Sequence, residues 1–361
     1  MIAKQRPVRV LLASPATGEY GGMEGFVIAL TQYLSARRDL EVRACFKLRA
    51  GASLSDTLRR QLDRSAIAFA VVRRASPALV RELQWADLVH AQSASPDICA
   101  LAKLFGKKLV LTIHNHLYGQ RGAHVMLWRA ALRLADRRWY NSRFVRRSWE
   151  SGGESIASEA FPAVARVERR FAPLEGRAGF VFVSRMIPGK GADTVLEAYR
   201  AAQLDPEHWP LRMVGEGPLL EGLRERYADH PGVRFEGFLA QERKDALIAG
   251  ARWLVTVPNY FEAMGVTPLE ARCKAVPCIV SLDGGLPEVA GSEALTCAPG
   301  DSRGLAQCLV EAAQMSEGDY ASRAASAYEG VARVLRPLEW YADSYHSVLG
   351  RPGGVVAPRA T

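Results

Sequence analysis

Short apolar runs rich in β-branched residues recur along the 361-residue chain, and stretches of helix length separate them. Strands are predicted at 8–14 (VRVLLAS), 40–46 (LEVRACF), 66–72 (AIAFAVV), 86–92 (ADLVHAQ) and 108–114 (KLVLTIH). Helices are predicted between them, for example over Met23 to Arg37 and Ser95 to Phe105. Continuous apolar strands alternating with helices indicate parallel sheets covered on both faces, the doubly wound α/β arrangement. After an irregular stretch from Glu168 to Gly179 the pattern restarts, with strands at 179–184, 211–215, 233–237, 253–257 and 277–281. Two domains are therefore expected, 1–172 and 173–335. The Gly- and Pro-containing tail at 350–361 is expected to be disordered.

Charge adds an asymmetry. Residues 1–172 hold 28 Lys and Arg against 14 Asp and Glu, whereas residues 173–361 hold 19 against 24. The first half, at net +14, is suited to an anionic partner: nucleic acid, an anionic membrane surface or a phosphate-bearing acceptor. No helix-turn-helix, zinc-finger or RNP-like signature supports nucleic acid, so no nucleic-acid partner is expected. The six cysteines form no C-x-x-C pair and are expected to be buried free thiols. The N-terminus lacks a signal-peptide pattern and no segment reaches 18 uninterrupted apolar residues, so a cytoplasmic location is expected, with at most peripheral membrane contact.

In open α/β sheets ligands sit at the carboxyl ends of strands, where loops lead into helix N-termini that attract phosphate. Three such places carry candidate chemistry. Gly21-Gly22 opens a helix after the first strand; the pair fits a simple turn as well as a close approach to phosphate or sugar, and it is neither G-x-G-x-x-G nor a Walker A loop. Arg185 and Lys190 stand on a Pro-Gly turn just before a helix starting near Ala192, where two cations could neutralise a diphosphate or simply be solvated. Glu262 and Glu270 are eight residues apart, one before a helix containing Pro268 and one about a turn inside it, placed to accept hydrogen bonds from sugar or ribose hydroxyls. Gly215-Glu216-Gly217-Pro218, His114 and Gly284-Gly285-Leu286-Pro287-Glu288 are weaker signals of the same strand-end kind.

Taken together with Asn141-Ser142, these segments resemble glycosyltransferase family 4, the retaining nucleotide-sugar enzymes of the GT-B fold, over nearly the whole chain. The resemblance implies two Rossmann-like domains whose parallel sheets face a central cleft. The N-terminal domain would serve the acceptor and the C-terminal domain the donor, with a helix over 336–349 returning toward the N-terminal domain. It places the backbone of Gly21 and Gly22, the N–H groups of Val266 and Thr267 after Gly265, and Arg185 and Lys190 against the donor diphosphate. Gly215 and Glu216 join the donor site, Glu262 binds donor-sugar hydroxyls, Glu270 binds the ribose, and His114 lies beside the donor sugar and acceptor. Departures from the family pattern are Ser184, Ala263 and Ala275 where Gly is usual, Asn259 where Ser is usual, and Lys274 where a small residue is usual.

There is no Asp-x-Asp metal motif, so no metal and no cofactor is expected beyond the nucleoside-diphosphate sugar substrate; fixed cations would stabilise the leaving group. The expected reaction is transfer of a sugar to a glycan or lipid-linked acceptor in cell-surface polysaccharide or lipopolysaccharide synthesis. The alternatives are a nucleotide-sugar epimerase of the same fold and a non-catalytic GT-B scaffold. Finally, Arg129, Arg133 and Arg137 recur every fourth residue in the segment from His124 to Arg138, which predicts one helix with a basic stripe, Leu127, Ala131 and Leu134 on another face, and Trp128 beside it. That stripe could meet an anionic membrane face, or be the solvated back of an ordinary core helix.

Overall fold

The structure is a computed structural model that describes residues 6–164 and 167–351. The chain divides into two compact units, one formed by the chain up to Arg166 together with the segment from Leu335 onward, the other by Val167–Val334. Of the tail expected over 350–361, residues 352–361 lie outside the described residues.

Among the described residues the first unit contains a seven-stranded parallel sheet: β1 (Val8–Ala16), β2 (Leu40–Leu48), β3 (Phe69–Arg73), β4 (Leu88–Ala91), β5 (Lys108–Ile113), β6 (Arg137–Tyr140) and β7 (Ser158–Ala160), in the order β3-β2-β1-β4-β5-β6-β7. The strand order reverses between β1 and β4, the place where such sheets bind ligands. Side-chain caps start several helices: Ser55 accepts from Leu58 N–H, Ser76 from Leu79 N–H ahead of Pro77, and Ser142 from Val145 N–H. The helix Leu338–Val348 completes this unit's core, burying Tyr341, Ala342 and Tyr345 with Trp139, Phe46 and Leu30. Trp139 lies 4.9 Å from Trp340 and 5.6 Å from Tyr341, centroid to centroid.

The second unit contains a six-stranded parallel sheet of β8 (Phe180–Val183), β9 (Leu211–Val214), β10 (Val233–Gly237), β11 (Trp253–Thr256), β12 (Cys278–Ser281) and β13 (Leu295–Cys297), in the order β10-β9-β8-β11-β12-β13. Its reversal lies between β8 and β11. The helices Ala192–Ala202 and Ser302–Gln314 pack on one another beside Phe180, Phe182 and Trp253, and Asp301 caps the second of them.

β6, β7 and β13 are strands that the periodicity did not announce. The reason is clearest at β6, which reads RRWY. The helix Ala123–Arg133 stops short because Asp136 accepts a hydrogen bond from Leu109 N–H at 2.8 Å and pairs with Lys103 at 2.5 Å, drawing the chain beside β5. Arg137 is therefore in a strand, and the expected three-arginine stripe is corrected to Arg129 and Arg133. Leu127 and Leu134 are also exposed rather than part of a core face, and it is Ala131 and Leu132 that are buried. All six cysteines are buried and free, with burial pushing the Cys278 thiol up to about 12. Among the described residues no helix is long and apolar enough to cross a membrane.

Candidate functional site

In the second unit β8 and β9 are neighbours, so the loops after them run side by side. Ser184 N–H donates to Val214 carbonyl at 3.0 Å, Met186 N–H to Glu216 carbonyl at 2.8 Å, and Leu219 N–H to Met186 carbonyl at 3.0 Å. Gly215 has φ +136°, and a Cβ there would collide with the Ser184 carbonyl, so no other residue fits this approach. The result is a rigid turn from which Arg185 and Glu216 project into solvent. Among the described residues Arg185 makes no ion pair.

The same turn is tied to the segment after β11. Asn259 N–H donates to the Gly189 carbonyl at 2.8 Å, and Gly191, which begins the helix Ala192–Ala202, abuts the Val257 carbonyl. Lys190 Nζ consequently reaches Glu262 Oε2 at 2.6 Å and lies 5.0 Å from the centre of the Tyr260 ring, whose hydroxyl donates to the same Oε2 at 3.3 Å. Burial pulls the Lys190 ammonium down, but the Glu262 carboxylate and Tyr260 together more than reverse it, so it stands above the ordinary lysine value. The backbone of Glu262 is held in turn by Gly285 N–H, which donates to its carbonyl at 2.7 Å.

Gly265 precedes the helix Val266–Arg272 with φ +92°, packed against Leu286. Val266 is exposed, and the Thr267 hydroxyl lies 3.3 Å from that of Thr256. Glu270, in the second turn, is buried; its Oε1 accepts from Lys244 Nζ at 2.7 Å. Arg185, Lys190, Gly215, Glu216, Glu262, Gly265, Val266, Thr267 and Glu270 all lie in the second unit, all but Glu270 just beyond the carboxyl ends of β8, β9 and β11. Two cations and two carboxylates on such loops can hold a phosphate-bearing, hydroxyl-rich ligand. Lys244 and Tyr260 were not anticipated: Lys244 sits in the polar run QERKDAL, where nothing local marks it.

In the first unit Gly21 is the residue before the helix Gly22–Ser35, and a Cβ on Gly22 would meet open space. Glu24 is buried under this turn; burial pushes its carboxyl up, while the N–H groups of Gly21 and Glu24 hold it back. His114 follows β5 and packs edge-on against Phe26 of that helix, ring centres 6.1 Å apart. Both of its ring nitrogens are engaged. Asn141 Nδ2 donates to Nδ1 at 2.9 Å, and Nε2–H donates to Gln92 Oε1 at 2.9 Å. Beyond Gln92 lies His90, fully buried between Thr112 and the Tyr345 hydroxyl, each at 2.7 Å. Burial lowers His114 to about 4 and His90 to about 3, so both rings are neutral at pH 7. Gln92 ends a predicted strand, and the strand-end rule that found His114 applied to it equally. Among the described residues no group of three or more His, Cys, Asp or Glu side chains could hold a metal ion.

Comparison with known proteins gives matches to both halves. A family described as "Glycosyltransferase Family 4" matches residues 20–155, and one described as "Glycosyl transferases group 1" matches residues 177–315. The O-antigen chain mannosyltransferase B of Escherichia coli is 29% identical over 139 residues, 37% of this chain and 36% of that protein. The GDP-mannose-dependent alpha-(1-6)-phosphatidylinositol monomannoside mannosyltransferase of Mycolicibacterium smegmatis is 28% identical over 209 residues, 50% of this chain and 54% of that protein. The chain thus matches between about a third and about a half of the length of these curated relatives. Among solved structures, Anabaena HepE in complex with UDP superposes with a TM-score of 0.76 at 18% identity, covering 95% of this chain and all of that one.

Proposed function

Since the chain belongs to glycosyltransferase family 4 and has the GT-B fold, we propose that it is a retaining glycosyltransferase that moves a sugar from a nucleoside-diphosphate sugar to a glycan or lipid-linked acceptor. The reaction would serve cell-surface polysaccharide or lipopolysaccharide synthesis, a reading supported by the O-antigen and phosphatidylinositol mannoside names of its relatives. HepE, bound to UDP, supports a nucleotide donor. The single observation that carries the proposal is the Lys190–Glu262 pair beside the exposed Arg185, at the strand-order reversal of the second unit.

Chemically, the ammonium of Lys190 has three N–H donors; Glu262 uses one and fixes the group's position, leaving the others for phosphate oxygens. Arg185 binds the same diphosphate as a fork, with the backbone of Gly215-Glu216 and the N–H groups of Val266 and Thr267 as further contacts. Positive charge at the departing diphosphate stabilises an oxocarbenium-like transition state without a metal. Glu262 keeps an oxygen for a donor-sugar hydroxyl, and Glu270 takes the ribose. The acceptor hydroxyl attacks the face that the nucleoside diphosphate leaves, which retains the anomeric configuration. In this division residues 173–335 serve the donor and residues 1–172 the acceptor, with His114 on the acceptor side.

The first unit also presents Met126 at 74% and Leu127 at 58% exposure beside Arg129 and Arg133 on the helix Ala123–Arg133. Exposed aliphatic side chains beside arginines suit reversible contact with an anionic membrane, where a lipid-linked acceptor would be presented. The reading is tested by incubating the protein with a panel of nucleoside-diphosphate sugars and lipid-linked glycan, then measuring nucleoside diphosphate release and the anomeric configuration of the product. Transfer with retention is expected. A new nucleotide sugar formed without transfer would identify an epimerase instead.

A further inference from the structure

Glu270 is withdrawn from water inside the helix Val266–Arg272, and a carboxylate so buried requires a cation or several N–H donors. Its cation comes from a different element. Lys244, four residues into the helix Gln241–Gly250, donates from Nζ to Oε1 at 2.7 Å, and both side chains are under one-fifth exposed. The next residue makes the opposite pair: Asp245 Oδ1 is 2.9 Å from Lys274 Nζ. Two adjacent residues of one helix therefore bridge, with opposite sign, to the two ends of the segment 270–274. This gives a physical account of Lys274, which departs from the small residue usual in the family.

The two oxygens of Glu270 are not equivalent. Oε1 is taken by Lys244, whereas Oε2 is buried and has no hydrogen-bond partner among the described residues. A buried acceptor without a donor is costly unless a ligand hydroxyl completes it. Lys244 thus does more than neutralise the carboxylate, because it fixes which oxygen is left to accept.

Resting on the nucleotide-sugar reading above, we infer that Lys244 is a positioning residue that aims Glu270 Oε2 at a ribose hydroxyl, making this pair the site's discriminator between ribo- and deoxyribonucleotides. A site built to pair with a hydroxyl rejects an analogue lacking it, because its own buried group is then left unpaired.

The test is calorimetric binding of UDP, GDP and ADP and of their 2′-deoxy and 3′-deoxy counterparts to wild type and to Lys244→Met, Lys244→Arg and Lys274→Met. Wild type should prefer the ribonucleotide over at least one deoxy form by about tenfold or more, and Lys244→Met should bring that ratio within about twofold by weakening only the ribonucleotide. Lys244→Arg should restore most of the preference, which keeps the test decisive should Lys244→Met not fold: an arginine variant without any preference overturns the inference. Lys274→Met should lower thermal stability while keeping the ratio. Equal weakening of ribo and deoxy forms in Lys244→Met, or loss of the ratio in Lys274→Met, overturns the inference and leaves the nucleotide reading standing. Wild-type binding with no ribose preference does the same, whereas no binding of any nucleotide to wild type overturns both.

Discussion

Individual side chains carry two expectations. Arg185 and Lys190 stand on a turn stiffened by Gly215, so removing either charge should leave the fold intact while leaving the departing diphosphate under-stabilised. Arg185→Ala or Lys190→Ala should cut turnover by about 10² or more, read from initial rates with circular dichroism as the folding control; near wild-type rates in both variants would remove the diphosphate assignment. The second expectation comes from the buried His90 and the half-buried His114, held neutral to about 3 and about 4 respectively. Unfolded histidines take up protons near pH 6.5, so below that pH the unfolded chain binds protons that the folded chain refuses. Stability is therefore full above about pH 6.5 and falls by about 1.4 kcal/mol per pH unit for each such histidine as pH drops. Urea unfolding at pH 7, 6 and 5 should show that fall, and His90→Gln should show a shallower one; an unchanged slope would mean that His90 is protonated in the folded protein.

At the scale of elements, legibility followed locality. β1, β2, β5, β8, β9, β11 and β12 were readable because each is a short, mostly apolar run whose residues are largely buried. β6 was hidden because arginines occupy its first two positions and the pull of Asp136 on Leu109 N–H comes from an adjacent strand that no local window contains. The candidate site divides the same way: Arg185, Lys190, Glu262 and Glu270 are legible as charged residues at loops and helix starts, whereas Lys244 becomes visible only when the helix Gln241–Gly250 packs beside Glu270. The helix Leu338–Val348 is distant in sequence from the strands whose core it completes. Tyr341 is wholly buried there among Phe26, Trp139, Phe161 and Trp340. Tyr341→Ala should destabilise the first unit by about 3–5 kcal/mol, the cost of emptying a large aromatic site. A loss below about 1 kcal/mol in chemical denaturation would show that this helix contributes little to the core.

For the whole molecule, the charge asymmetry and the exposed Met126 and Leu127 beside Arg129 and Arg133 bear on where the protein works. Co-sedimentation with anionic vesicles should occur at low salt, weaken at high salt, and be lost in a Met126→Ser, Leu127→Ser, Arg129→Glu, Arg133→Glu variant, because exposed charges are screened within about 10 Å at 0.1 M salt. Binding that ignores lipid charge, salt and the four substitutions would remove the membrane assignment. The central claim, a nucleotide-sugar site in the second unit, is tested most directly by thermal unfolding of wild type and an Arg185→Ala, Lys190→Ala double variant against a panel of nucleoside-diphosphate sugars. A ligand bound only by the folded state raises the midpoint with concentration. At least one nucleotide sugar should stabilise wild type and leave the double variant unmoved; a panel without effect on wild type, or an equal shift in the double variant, would contradict the site.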